Sequence, residues 1–299
     1  MKTQKKPKKT PVRRQINAAG SLCDARLSLG HVTLALDDLM RESGLSATAA
    51  KWQLTRLRDK VVRVAPRQPF YLIVSPEHRS MGAPPPNWWL HDYFEWLGRP
   101  YYLALQSAAS AFGSNPQALQ VTQVMTDRPC RAITVGKIHV RFFVKRGIAQ
   151  TPTRQLDGAV APLCVSTPEA TAYDLIRYAT SIGGIERAAE TIRPLLPLLR
   201  ARELKRVLNA QAGNEYPVAQ RLGFVFEASG GGGRALAKTV RDWLGAATDK
   251  IFPVMLAPER GRRKRGRGHG RGHERGRDGI PLVARWQVFN NSNELKTKT

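Results

Sequence analysis

Residues 36 to 74, LDDLMRESGLSATAAKWQLTRLRDKVVRVAPRQPFYLIV, constrain the fold more tightly than any other stretch of the chain. Asp37 is a good N-cap and Gly44 a natural C-terminal stop, so Asp38 to Ser43 reads as a short first helix. Gly44-Leu45 is the turn. Ser46 then caps a second helix to about Lys60, its hydroxyl accepting from an otherwise unpaired N–H of the first turn. Ala50, Leu54, Leu57 and Val61 recur at four, three and four residues and form an inward stripe. Two runs rich in β-branched and aromatic residues follow, Val61 to Ala65 and Phe70 to Val74, joined by Pro66-Arg67-Gln68-Pro69. Helix, turn, helix and basic hairpin, in that order, read as a winged helix-turn-helix.

On the outward face of the second helix lie Thr48, Trp52, Thr55, Arg56 and Asp59, with Lys51 and Arg58 on the flank. These side chains can meet base edges and phosphates. The candidate DNA-binding set is therefore Ser46, Thr48, Lys51, Trp52, Thr55, Arg56 and Arg58, with Arg67 on the wing tip. Two blander readings stay open here: helix-turn-helix is also an ordinary packing unit, and Trp52 could cover a neighbouring domain. Residues 16–79 form this domain, with a weakly helical Ile16–Leu27 and a small strand at His31–Leu36 completing the order of a winged fold.

Composition adds the class of partner. The net charge is +25 over 299 residues, a field that favours polyanions. It is concentrated at two places: residues 1–14 carry +7, and residues 259–278 carry nine Lys or Arg against three acids, +6. Residues 1–15 read as a disordered basic arm and 259–278 as a disordered Arg/Gly insertion. Nonspecific nucleic-acid contacts are assigned to Lys5, Lys6, Lys8 and Lys9 of the arm and to Arg262, Arg263, Lys264 and Arg265 of the insertion. His269 and His273 lie among glycines that give them no helix for holding a metal, so no metal ligand is assigned.

The proline run Pro84–Pro86 cannot propagate a helix or donate to a sheet. It places a connection at 80–100, dividing two segments that each have their own apolar periodicity. Trp88, Trp89, Tyr93, Phe94 and Trp96 follow as a short aromatic helix, a better core element than a base-stacking platform. Residues 101–290 form a larger mixed domain, with 291–299 a tail. Its expected elements are a helix at Tyr102–Phe112, antiparallel strands at 120–125, 131–135 and 137–144, and a helix opened by Thr167-Pro168-Glu169. Further helices fall at 185–199, 202–211, 217–227 and 235–244, and a strand at 280–290. The fold class is α+β, an N-terminal winged helix-turn-helix before a larger helical and antiparallel-sheet domain. The glycines of 229–233 follow no strand and carry no phosphate-loop signature, so they read as a loop.

Three scattered cysteines form no C-x-x-C pair, which points to reduced thiols in a cytoplasm with no disulfide framework. No apolar run reaches 18 residues and the amino terminus lacks a secretory pattern, so no membrane association is expected. No H-E-x-x-H, G-x-S-x-G, paired-acid or dinucleotide motif is present, and no cofactor is assigned. Glu169 and Asp174, on one helix, read as cap and surface groups. The chain is not expected to be an enzyme.

The ordered series YYLALQSAASAFG, QVTQVMTDRP, IHVRFFVK, VSTPEATAYDLIRY with GGI, AQRLGFVFE and RWQVFNN resembles the AbiEi family of antitoxins over roughly residues 30–290. That resemblance implies a type IV toxin–antitoxin, or abortive-infection, function. The winged helix of such a protein binds repeats in its own promoter, and the C-terminal domain antagonises a cognate AbiEii-like nucleotidyltransferase toxin. The toxin itself lacks a counterpart here, since its paired acids are missing. The basic arm and the Arg/Gly insertion depart from the family pattern. Two other readings compete: a winged-helix regulator with a ligand-sensing domain, and an RNA-associated protein acting through its basic segments.

Overall fold

The structure, a computed structural model, describes residues 17–114, 119–156, 161–211, 215–246, 251–257, 280–292 and 294–295. The basic arm with Lys5, Lys6, Lys8 and Lys9, and the Arg/Gly segment with Arg262, Arg263, Lys264 and Arg265, lie outside the described residues.

The amino-terminal unit runs α1 (Ala18–Ser28), β1 (Thr33–Ala35), α2 (Leu36–Ser43), α3 (Ala47–Arg56), β2 (Val61–Ala65) and β3 (Gln68–Ile73). β3 lies between β1 and β2, antiparallel to both, which is the connectivity of a winged helix. Three expected boundaries move. α2 starts straight from β1 with Ala35 as its N-cap, so Asp37 is not the cap but sits with Asp38 in the first turn, where a negative charge favours the helix dipole. α3 stops at Arg56, four residues short of Lys60, because Val61 is claimed by β2 although it continues the helical spacing of Leu54 and Leu57. The wing loop is only Pro66-Arg67, since Ala65 pairs with Gln68 and Pro69 lies in the strand.

Beyond the unit come α4 (Leu90–Leu97), β4 (Tyr101–Leu103), α5 (Leu105–Ala111), β5 (Thr122–Thr126), β6 (Ile133–Val135), β7 (Ile138–Val144), β8 (Thr153–Gln155) and β9 (Cys164–Ser166). The strands form one sheet in the order β6-β7-β5-β4-β9-β8. It is mixed: β5 runs parallel to β7, and β4 parallel to β9, while the other pairs are antiparallel as expected. Tyr102 and Leu103 belong to β4, not to the helix expected there, because they pair with Met125 and Val124. A helical layer covers one side: α6 (Pro168–Arg177), capped by Thr167 with Pro168 at its first position, then α7 (Ile185–Ile192), α8 (Ala201–Ala210), α9 (Tyr216–Ala228) and α10 (Gly233–Gly245). Pro194 and Pro197 convert the end of the helix expected over 185–199 into 3₁₀ turns. A small sheet of β10 (Val254–Met255), β11 (Leu282–Val283) and β12 (Val288–Phe289) closes over α9. There Trp286 packs so tightly on Gly223 that a Cβ at residue 223 would stand 2.0 Å from the ring.

The alternation of β3 sends its side chains into two different cores. Tyr71 and Ile73 join Ala19, Leu39, Ala50 and Leu54 beneath the three helices. Phe70 and Leu72 point the other way, to Trp89, Leu90, Tyr93 and Phe94 and on to Leu103, Val124, Val140 and Val165 of the large sheet. The aromatic helix α4 is thus core. Phe70 meets Tyr93 edge-on at 5.4 Å and Trp96 at 5.3 Å. Tyr93 donates its hydroxyl to Gln68 at 2.7 Å, and Thr33 of β1 donates to Asp92 at 2.6 Å. Apolar packing therefore runs without a break through the 80–100 segment.

Candidate nucleic-acid interface

The α2–α3 corner is set by two local devices. Gly44 takes φ 70°, the left-handed value open to glycine, and its N–H closes on the Met40 carbonyl. Ser46 is extended, and its hydroxyl accepts from the Ala49 N–H at 3.3 Å. α3 is then fixed by its inner face: Ala50 and Leu54 are buried, and the Gln53 side-chain carbonyl accepts the Ala19 N–H at 2.9 Å, tying α1 to α3.

The outer face consists of the side chains nominated from sequence. Ser46, Thr48, Lys51, Trp52, Thr55 and Arg56 are all exposed, as are Arg58 and Arg67. Six of them lie on α3 or its cap. Arg58 lies in the turn after the helix end, and Arg67 lies at the wing tip, in the two-residue loop of the β2–β3 hairpin. The Thr55 hydroxyl donates back to the Lys51 carbonyl at 2.9 Å, which leaves its oxygen able to accept. Among the described residues Lys51, Arg56, Arg58 and Arg67 form no ion pair.

Two of the three acids of α2 are matched on their own side: Arg26 bonds Glu42 at 2.7 Å and stands 3.8 Å from Asp38, which also pairs with Arg41. The cations of α3 and the wing are left facing solvent. Such a face attracts phosphate while its hydroxyls, indole and guanidinium remain available to base edges.

One wing residue escaped sequence reasoning. Arg63 in β2 donates to the Pro66 carbonyl at 2.7 Å and to the Tyr71 hydroxyl at 2.8 Å, its guanidinium lying 5.2 Å from the Tyr71 ring centre. It clamps the two-residue turn that carries Arg67. The i, i+3 step from Arg63 to Pro66 was the available signal, but nothing in the sequence gave the tightness of the loop.

The second missed constellation is buried in the larger part. Lys145, just past β7, bonds Asp174 of α6 at 2.7 Å, and Tyr102 of β4 donates to the other carboxylate oxygen at 2.8 Å. Lys145 is 1% exposed and Asp174 0%. Burial, reinforced by the Asp174 carboxylate, holds the Tyr102 phenol protonated well above its ordinary range. Glu169 is buried too, accepting the Arg200 N–H at 2.8 Å at the start of α8. The sequence reading of Glu169 and Asp174 as cap and surface groups is therefore corrected for exposure: both are interior acids, Asp174 joining the sheet to α6 and Glu169 joining α6 to the start of α8. The Lys145–Asp174 pair is sealed from solvent.

Among the described residues no group of His, Cys, Asp and Glu is placed to hold a metal ion, and no helix is long and apolar enough to cross a membrane. Cys23 is buried, and that burial pushes its thiol up to about 11.

Residues 102–227 match the family profile of the AbiEi antitoxin C-terminal domain. No curated protein sequence matches the chain. Among solved structures, the chain is similar in fold to the RV2827C protein from Mycobacterium tuberculosis, at 15% identity and a TM-score of 0.59, over 95% of this chain and 93% of that one.

Proposed function

We propose, from the AbiEi antitoxin C-terminal domain matched over residues 102–227, that this chain is an autoregulating antitoxin acting without catalysis. Its winged unit binds repeats in its own promoter, and its larger part antagonises a nucleotidyltransferase toxin. The protein works in the cytoplasm, with duplex DNA and the toxin as partners.

The observation that carries the DNA-binding half is the coincidence on α3 of exposure and unpaired cations, beside a wing fixed by Arg63. Phosphates are met by Lys51, Arg58 and Arg67, and base edges by Thr48, Thr55 and Arg56. The arm and the Arg/Gly insertion add sequence-independent attraction. The toxin-directed half rests on the family match alone.

The test separates the two activities. A Thr55→Ala/Arg56→Ala double variant should lose repression of the promoter in a reporter strain. It should still rescue growth when the toxin is induced from an unrelated promoter. Full repression by the double variant sinks the assignment of the interface; loss of rescue by a well-folded double variant sinks the division of labour.

A further inference from the structure

The chain has six tryptophans, and five of them have a partner within the fold. Trp88 lies edge-on to His78, and Trp96 lies on Phe70. The Trp89 indole donates to the Pro84 carbonyl, that of Trp243 to Asn209, and that of Trp286 to Glu227. Trp52 is 66% exposed, and among the described residues it has no ring contact, no cation against its face and no hydrogen bond at its indole nitrogen. Among the described residues, two-thirds of this large apolar side chain is left facing water.

Its neighbours on that surface are Thr48 one turn before and Thr55 and Arg56 one turn after, at the helical spacings that bring side chains together. Thr48, Trp52 and Thr55, each carrying an apolar group, share one exposed face along the middle of α3, with Lys51 and Arg56 beside it. In the major groove the base edges present hydrogen-bonding groups at every position, and the thymine C5-methyl is their apolar feature. We propose that Trp52 is a specificity-determining residue that reads thymine by packing its indole on the C5-methyl. This rests on the DNA-binding reading above and adds to it the base that is recognised and the chemical group that marks it.

A methyl group removed from water against an apolar face is worth a factor of about four in affinity. The full-length protein is used to select duplexes from a randomised library, and the enriched site is resynthesised with uracil in place of each thymine in turn, which deletes the methyl and nothing else. Uracil at one or two positions should weaken binding roughly three- to fivefold. The Trp52→Ala variant should bind thymine and uracil sites equally, and Trp52→Phe should keep the preference. Because Trp52 is 66% exposed and lies outside the core of the winged unit, Trp52→Ala should melt close to the parent protein, which excludes unfolding as the cause.

Uracil tolerated everywhere overturns the proposal, as does a uracil penalty that persists in Trp52→Ala. Equal weakening of every duplex by Trp52→Ala, scrambled sequence included, would place the indole on the sugar-phosphate backbone and overturn it as well. Failure to enrich any sequence would overturn the DNA-binding reading itself, an outcome distinct from an enriched site indifferent to uracil.

Discussion

Two groups of charged side chains in this molecule are opposites in every physical respect. On α3 and the wing, Lys51, Arg56 and Arg67 stand in water without a counter-ion among the described residues. Behind the large sheet, Lys145 is enclosed with Asp174 and Tyr102. A solvated cation costs the fold nothing, so its identity is free to serve a partner. A buried cation is tolerated only with its acid, because desolvating an unpaired charge costs more than the surrounding packing returns. The first group is therefore exchangeable without harm to the fold and the second is not.

Asp174→Ala carries the largest effect. It strands a buried ammonium and the Tyr102 hydroxyl, and should lower unfolding free energy in urea by about 3–5 kcal/mol. The Lys145→Met/Asp174→Leu double substitution, which removes both charges at similar volume, should recover most of that loss. A small effect of Asp174→Ala alone would show that the pair is not sealed as described. Arg56→Ala should do the reverse: an unchanged melting temperature, with promoter affinity reduced by about 1–3 kcal/mol if the guanidinium reads a base. Ser46→Ala falls between the regions, since the hydroxyl is exposed but caps α3. It should cost about 1 kcal/mol of stability, and its effect on DNA should be indirect, visible as increased amide exchange at Ala49. Arg67→Ala should have the smallest effect, flattening the plot of log affinity against log salt by about 0.9 while leaving the ratio of specific to scrambled binding unchanged.

The same contrast explains what the sequence revealed. The recognition corner is local: Gly44, Ser46 and the spacing of Ala50 and Leu54 act within one or two turns, so the chain announces them. Where two periodicities overlap, the reading overran, as when Val61 extended the helical stripe while pairing as a strand with Ile73. Tyr102 and Leu103 were absorbed into an alanine-rich helix because their strand identity comes from partners some twenty residues onward, Met125 and Val124. The parallel pairings of β5 with β7 and β4 with β9 have no local signature at all. Asp174 lies 29 residues from Lys145 and 72 from Tyr102, and only the closing of sheet on helix makes them one group. The surface of α3 could be read because it awaits something outside the chain; the buried triad could not, because its meaning is entirely tertiary.

The double-sided burial of β3 has a consequence for how this protein comes apart. Phe70 and Leu72 belong to one core while Tyr71 and Ile73 belong to another, so peeling the strand from either exposes both. The winged unit and its neighbour should unfold as a single cooperative step, with the Tyr71–Ile73 amides among the slowest to exchange. The winged unit then has little local unfolding freedom of its own, and whatever tightens the body against α4 also narrows the fluctuations of α3, the helix proposed to face DNA.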